Sequence, residues 1–478
     1  MASSLGTVRT GPPAPGPDEF RFRVVVPAAI AMGGVGMGAA WVLLRLIWLL
    51  TNVLYWHRWS FRYAEAHTAP AASSPWTVVI LVAGALLAGL AVRYGHESLR
   101  GHGIPEVMEA VVLREGRIPP RVAVLKPLLS ALVIGGGAPF GAEGPIIQTG
   151  GAIGSLIGQW LPVSAAERKV LIACGAAAGM TGVFGTPLAA VLLPVELITF
   201  EFSLRALAPP ALAAGVAAVL RVPLLGAAPL FAMGSDLGFG AAGLVWCLGF
   251  GVVAGLQAVG ITRLLYGLED LYERVPGAGP VVRPVIGAVC VGVIALAGPE
   301  VLGVGYDLIR AILNGQVPVL ELWRIFAFKS AGWLLALASG TVGGVLAPLF
   351  MIAGATGALI GHALQPWSGL PAGLVALVFM AAVFGAGGRA ILTASVFAVE
   401  VTGDFHALVG VLVATAVATA LADRLLPYNI MTGKLVRRGL RLSHDYFAPA
   451  PVLPAAAART GAVGEGAGRG RFPGDGNP

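Results

Sequence analysis

Glu143 is the residue whose setting asks for chemistry. It stands in Gly141-Ala142-Glu143-Gly144-Pro145, inside a strongly apolar neighbourhood that runs from Gly135 to Gly151. An ionisable side chain in a membrane segment is costly, and for that reason marks a functional site by default. Two other short runs share the same grammar of glycines, then a proline, then an apolar helical stretch. They are Gly101-His102-Gly103-Ile104-Pro105 and Gly343-Gly344-Val345-Leu346-Ala347-Pro348. Proline in the first helical turn is preorganised and wastes no donor, and glycine lets the backbone turn and approach closely. Each run therefore predicts a helix N-terminus, where free N–H groups and about half a positive charge gather. Several such ends converging would hold a small anion without a buried Lys or Arg, which would bind it too tightly to release.

Those ends need a membrane scaffold, and the composition supplies one. Of the 478 residues, 57% are hydrophobic and only 12% charged, against about 25% charged in soluble domains. No Asp, Glu, Lys or Arg occurs between Lys329 and Arg389, and residues 144–166, 170–195 and 237–262 are likewise charge-free. The runs are continuously apolar rather than alternating, so the fold class is an all-α integral membrane protein and not a β-barrel. The net charge of +7 does not signal nucleic acid. Arg114, Arg117, Arg121, Lys434, Arg437, Arg438 and Arg441 follow apolar stretches and mark inward-facing, cytoplasmic ends. Cys174, Cys247 and Cys290 lie singly in apolar segments and read as packing residues. No metal-ligand spacing, phosphate loop or nucleophile array is present, and no cofactor is expected.

Apolar segments are expected near 24–56, 76–94, 104–114, 122–135, 144–161, 168–198, 207–221 and 237–265. More follow near 283–299, 304–314, 321–339, 347–366, 371–385, 390–402 and 406–426. Several are shorter than the roughly 20 residues a span requires, and others are interrupted by Gly and Pro. Broken segments at membrane depth are tolerated where they line a site, and matched breaks in two halves point to a transporter. Here "LRGHGIPEV" is matched by "VLGVGYDLI", "GAEGPII" by "GGVLAPLF", and "VFGTPLAAVLLPVE" by "VFGAGGRAILTASVFAVE", in the same order. The expected organisation is an N-terminal cytoplasmic arm (1–23), repeat 1 (24–233), repeat 2 with a final short helix (234–440) and a disordered tail (441–478). The first 19 residues lack a signal-peptide pattern.

The three motifs, in this order, resemble those of the CLC family of chloride channels and proton-coupled chloride antiporters, of the prokaryotic type without C-terminal CBS domains. The family patterns are GSGIP, GREGP and GxFxP, followed by a tyrosine near the end of the membrane region. The resemblance implies an inverted-repeat helical bundle with broken and re-entrant helices, a homodimer with one pore per subunit, and a multi-pass place in the cell's inner membrane. It implies that Glu143 is the gate, its carboxylate competing with the anion. It assigns anion binding to the surroundings of His102, Gly144, Ile146, Val345, Leu346 and Tyr428, with Pro145 and Ile147 in the turn behind the gate. Tyr428, in "LLPYNIM", is expected to open the last short helix.

This chain departs from the family at four positions. His102 replaces a serine hydroxyl with an imidazole, Ala142 replaces an arginine, and Leu346 replaces a phenylalanine. Leu197 stands where antiporters carry the inner proton-transferring glutamate, next to Glu196, which leans the expectation toward passive conduction of chloride or a similar anion rather than exchange against protons. Glu196 and Glu400, matched across the repeats, are expected to accept backbone N–H groups. A remote alternative is an intramembrane aspartyl protease using Asp307 of "GVGYDL" and Asp404 of "VTGDF". It lacks the first glycine of the second motif, where Val401 stands.

Overall fold

In the computed structural model, residues 20–234, 239–277 and 279–439 are described. The expected tail, 441–478, lies outside them, as do residues 1–19 of the expected arm. Seventeen α-helices are present among the described residues. The first half contains α1 (Phe22–Trp56), α2 (Pro75–Tyr94), α3 (Ile104–Leu113), α4 (Pro120–Gly135), α5 (Glu143–Trp160), α6 (Ala165–Phe184), α7 (Pro187–Pro194) and α8 (Leu204–Leu225). The second contains α9 (Ala241–Glu273), α10 (Val282–Ala297), α11 (Tyr306–Leu313), α12 (Val319–Ala338) and α13 (Leu346–Ser368). It ends with α14 (Ala372–Gly388), α15 (Ile391–Thr402), α16 (Leu408–Leu425) and α17 (Gly433–Arg437).

Six helical segments are long and apolar enough to cross a membrane: α1, α2, α8, α9, α13 and Phe405–Leu425. The others are shorter, more buried or, like α12 with Glu321, Arg324 and Lys329, more charged, and α14 is buried along its whole length. Chain breaks follow local chemistry. The expected segment 168–198 is in fact two helices, because Gly185 takes a left-handed φ of 71° as the C-cap of α6 and Pro187 then starts α7. The next turn, Val195–Thr199, is a π-helix carrying Glu196 and Leu197, a local widening often found at functional positions.

Glycine stripes bring the helices together. A Cβ on Gly150 would strike the Gly175 carbonyl, and one on Gly154 the Leu171 carbonyl, so α5 and α6 pack backbone to backbone. In the second half Gly357 and Gly361 of α13 do the same against Ala376 and Ala372 of α14.

The inverted repeat is visible in reciprocal contacts. Glu196, at the end of α7, accepts the N–H groups of Leu392 (3.1 Å) and Thr393 (2.7 Å) at the start of α15. Glu400, in the last turn of α15, accepts those of Leu188 (3.0 Å) and Ala189 (2.8 Å) at the start of α7. Each half thus caps a helix of the other, and the expected structural role of this glutamate pair is what the geometry displays. The carboxylates neutralise both the orphan donors and the positive helix ends.

Candidate functional site

The glycine-proline runs become the starts of α3, α5 and α13, and their loops touch. Gly141 and Gly344 form an isolated antiparallel bridge, Gly344 N–H donating to the Gly141 carbonyl at 2.9 Å and Gly141 N–H to the Gly344 carbonyl at 3.2 Å. This pair ties the N-termini of α5 and α13 together. The α3 loop is equally close, since a Cβ on Gly144 would collide with the His102 carbonyl and one on Gly103 with Gln148 and the Gly144 carbonyl. A larger residue at Gly144 would force the ends of α3 and α5 apart, and one at Gly141 or Gly344 would take the space of the Glu143 carboxylate.

The Glu143 carboxylate is fully buried and folds back into the space that side chains on Gly141 and Gly344 would fill. Its Oε1 accepts the Tyr306 hydroxyl at 3.4 Å. Its Oε2 has no hydrogen-bond partner among protein atoms, although the Ala347 backbone N–H bears on the carboxylate. A carboxylate in this position is a protein-borne anion held by helix ends, seated where a free anion would find the same donors.

The expected donors fare differently. Val345 and Leu346 are buried at the start of α13, whose first helical bond is Leu349 N–H to the Val345 carbonyl (3.2 Å). The N–H groups of Leu346 and Ala347 precede it and are not used by the helix, and that of Ala347 bears on the Glu143 carboxylate. Those of Glu143 and Gly144 likewise precede the first helical bond of α5. The Ile146 N–H, by contrast, closes the first turn of α5 onto the Ala142 carbonyl at 3.0 Å. Its side chain is buried and packs against Gly179 of α6. Ala142 itself is fully buried, so an arginine there would have had to displace packed neighbours.

His102 is buried, and its Nδ1 has no protein partner. Lys126 and Lys434 are the charged groups that bear on it. The Lys126 ammonium, itself buried, donates to the carbonyls of Leu99 (3.0 Å) and Gly101 (2.8 Å), while the Lys434 ammonium occupies the space above Gly101. Beyond them opens a cavity of about 470 Å³ lined by Glu97, Arg100, Glu106, Glu269, Glu273, Lys434, Arg437 and Arg438. Arg437 pairs with Glu269 (3.2 Å) and Asp270, and Arg438 with Glu97 (3.2 Å) and Glu109 (2.7 Å). Lys434 therefore stands between a charged, open vestibule and the α3 helix end.

Tyr428 does not open the last helix. It lies on a turn five residues before Gly433, organised by Asn429, whose Oδ1 accepts the N–H groups of Met431 (2.9 Å) and Thr432 (2.8 Å). The turn docks on the end of α14 through Ile430 N–H to the Gly387 carbonyl (3.0 Å) and Asn429 Nδ2 to the Gly388 carbonyl (3.1 Å). Tyr428 packs edge-on against Tyr266, with ring centroids 5.2 Å apart. Leu197 reaches the same region and is buried against Gly388. Its environment is apolar.

Three contributors escaped the motif reading. Tyr306, the residue holding Glu143, stood in the sequence as half of a Tyr-Asp pair. Asp307 pairs with His67 at 3.2 Å rather than with a second aspartate. Lys126 and Lys329 lie inside the expected segments 122–135 and 321–339 and drew no functional reading, yet Lys329 donates to the carbonyls of Val301 (3.0 Å) and Gly303 (2.7 Å), the repeat image of Lys126. The signal was the match of "LRGHGIPEV" to "VLGVGYDLI", each preceding a buried lysine.

Re-entrant helix ends around a buried carboxylate, inside an inverted repeat of membrane helices, define a transport protein rather than an enzyme. The chain belongs to the voltage-gated chloride channel family, whose model matches residues 83–423. It is 31% identical over 366 residues to a ClcB-like chloride channel protein of Ralstonia nicotianae, covering 72% of this chain and 82% of the relative. It is 32% identical over 337 residues to the H(+)/Cl(−) exchange transporter ClcA of Salmonella arizonae, covering 68% and 70%. Among solved structures, a slow cyanobacterial Cl−/H+ antiporter superposes with a TM-score of 0.73 at 25% identity, over 87% of this chain and 97% of its own. A CLC-type fluoride/proton antiporter gives 0.70 at 24% identity, over 86% and 97%, and speaks for the fold alone. Family membership sets the aspartyl-protease alternative aside.

Proposed function

We propose that this protein carries chloride or a similar small inorganic anion across the cell's inner membrane, as a homodimer with one pore per subunit, and that Glu143 is the gate. The observation that carries this reading is the Glu143 carboxylate itself, buried between Gly141 and Gly344 at the joined ends of α5 and α13. An anion arriving from the Lys434 side meets the donors of Leu346 and Ala347, and it competes with the carboxylate for that positive region. His102, Gly144, Ile146 and Tyr428 line or support the route. Protonation or displacement of Glu143 releases its seat.

Conduction without a stoichiometric proton is favoured by Leu197, an apolar, buried side chain at the inner relay position. Exchange against protons is the second reading, favoured by the likeness to the ClcA exchange transporter and to the cyanobacterial antiporter. Purified protein in liposomes, with chloride and protons followed together, separates them. Uphill chloride movement driven by a proton gradient would establish exchange, and its absence alongside chloride flux would establish conduction. Glu143→Ala is expected to raise chloride flux several-fold or leave it ungated, and to abolish its pH dependence. Unchanged flux with unchanged pH dependence would remove Glu143 from the gate.

A further inference from the structure

We propose that Glu65, His67 and Asp307 form a binding site for a divalent cation of the Zn2+ type on the face opposite the arginine-rich one, and that its occupancy slows transport through Tyr306. No ligand spacing announces this site in the sequence, because its members come from the loop between α1 and α2 and from the first turn of α11. The fold brings one potential ligand atom from each to within 4.8 Å of the others. His67 Nε2 lies 3.2 Å from Asp307 Oδ2. The His67 side chain is only 7% exposed and that of Asp307 36%, so the group has a buried floor and one open side through which an ion can arrive.

Two polar atoms here are left over. His67 Nδ1 and Asp307 Oδ1 are buried with no hydrogen-bond partner among protein atoms, and a bound ion with its water would satisfy them. One imidazole with two carboxylates is a donor set that suits Zn2+, with water completing the shell. Mg2+ and Ca2+ prefer sites built of oxygen alone. The two carboxylates are only partly offset by the Lys329 ammonium, which is engaged with the Val301 and Gly303 carbonyls.

The consequence for transport rests on the gate assignment, but cation binding itself does not. Glu65 Oε1 accepts the Tyr306 N–H at 3.2 Å, and the Tyr306 hydroxyl reaches Glu143 at 3.4 Å. A cation shared by Glu65, His67 and Asp307 straps the outer loop to the start of α11. That holds Tyr306 in the position that keeps Glu143 seated, so gate opening becomes slower.

Calorimetry on the purified full-length protein in detergent tests the site directly with Zn2+, and with Mg2+ as comparison. The expected result is one Zn2+ per chain, weakened at least tenfold by His67→Ala and by Asp307→Asn, and unaffected by His57→Ala in the same loop. Each variant is first shown to elute as a single folded species. Asp307→Asn preserves shape should His67→Ala fail that check. Zn2+ binding that is absent, or equal in wild type and both variants, overturns the site. In liposomes, external Zn2+ is expected to slow chloride efflux of the wild type and not of the variants. Variant-sensitive binding with no effect on efflux overturns the regulatory half alone. A protein that moves no chloride still reports the site by calorimetry.

Discussion

The N-terminal ends of α3 and α11 occupy equivalent places in the inverted repeat, and each hangs on a buried lysine that donates to two carbonyls of the preceding loop. What fills the two ends differs. At α3 the cap comes from within, Glu106 accepting the Gly103 N–H at 3.0 Å, and His102 and Lys434 face the route to the open cavity. At α11 a carboxylate arrives from outside the helix. Glu65 accepts the N–H groups of Gly305 (3.4 Å) and Tyr306 (3.2 Å) and is locked by the Tyr63 hydroxyl at 2.6 Å. A cavity beside Glu65, Ala142 and Tyr306 has room for about one water. The fold thus makes two anion-attracting ends by symmetry and spends one on its own glutamate. Under the proposed function, the α3 end faces the inner approach of the ion, while Glu65 and Glu143 close the outer one.

The largest effect expected from breaking this comparison is at the lysines. Hydrogen bonds to a charged donor contribute about 1.5–3 kcal/mol each, and both Lys126 and Lys329 make two. Lys126→Met and Lys329→Met should each lower the thermal unfolding temperature in detergent by several degrees, and by similar amounts. They should part in function. Lys126→Met, which removes a cation beside His102, should weaken chloride binding measured by calorimetry, whereas Lys329→Met should leave it near the wild-type value. Equal losses of chloride affinity would show that both ends serve the ion, and the asymmetry would fail.

A smaller effect is expected at the reciprocal caps. Glu196→Gln and Glu400→Gln keep the shape of the cap but remove its charge at a helix N-terminus. Loss of that charge costs about 0.3–1 kcal/mol where exposed and up to about 2 kcal/mol in partly buried settings. Melting curves should show the two substitutions to be matched, since each carboxylate holds two N–H groups of the opposite half. A cost confined to one of them would mean that the two halves are not held together symmetrically. If Glu196→Gln also changed proton movement in liposomes, Glu196 would have to be credited with a transport role that its two backbone partners do not suggest.

Much of this was legible because glycine and proline act locally. The starts of α3, α5 and α13 follow from short runs whose φ demands and missing N–H groups leave little choice, and helix ends elsewhere fall close to the changes in polarity. The break at Gly185-Thr186-Pro187 used the same signal, but it sat inside a charge-free stretch and was absorbed into one segment. What depends on contacts between distant residues could not be read the same way. A lone lysine inside an apolar segment shows no partner in the sequence until its loop folds over it, and Tyr306 acquires meaning only when the second half brings it against Glu143. Tyr428 shows the converse, a position marked by a motif whose backbone setting is decided by Asn429.

The finest test concerns His102, where a serine hydroxyl in the family pattern is replaced by an imidazole. The ring is buried with Nδ1 unpartnered, and Lys126 and Lys434 supply positive charge beside it. If the imidazole supplies one donor to an anion at the α3 end, as a hydroxyl would, His102→Ser restores a donor of different size and reach. The expected change is in preference rather than in turnover. The ratio of nitrate to chloride flux in liposomes should shift by a few-fold, while chloride flux alone changes less. The same substitution made with Lys434→Met tells donor from charge. If His102 contacts the ion, the shift in the ratio persists without the lysine. If the ring only packs against the loop, both ratios stay at the wild-type value, and the selectivity of the inner end must come from the backbone donors of Leu346 and Ala347.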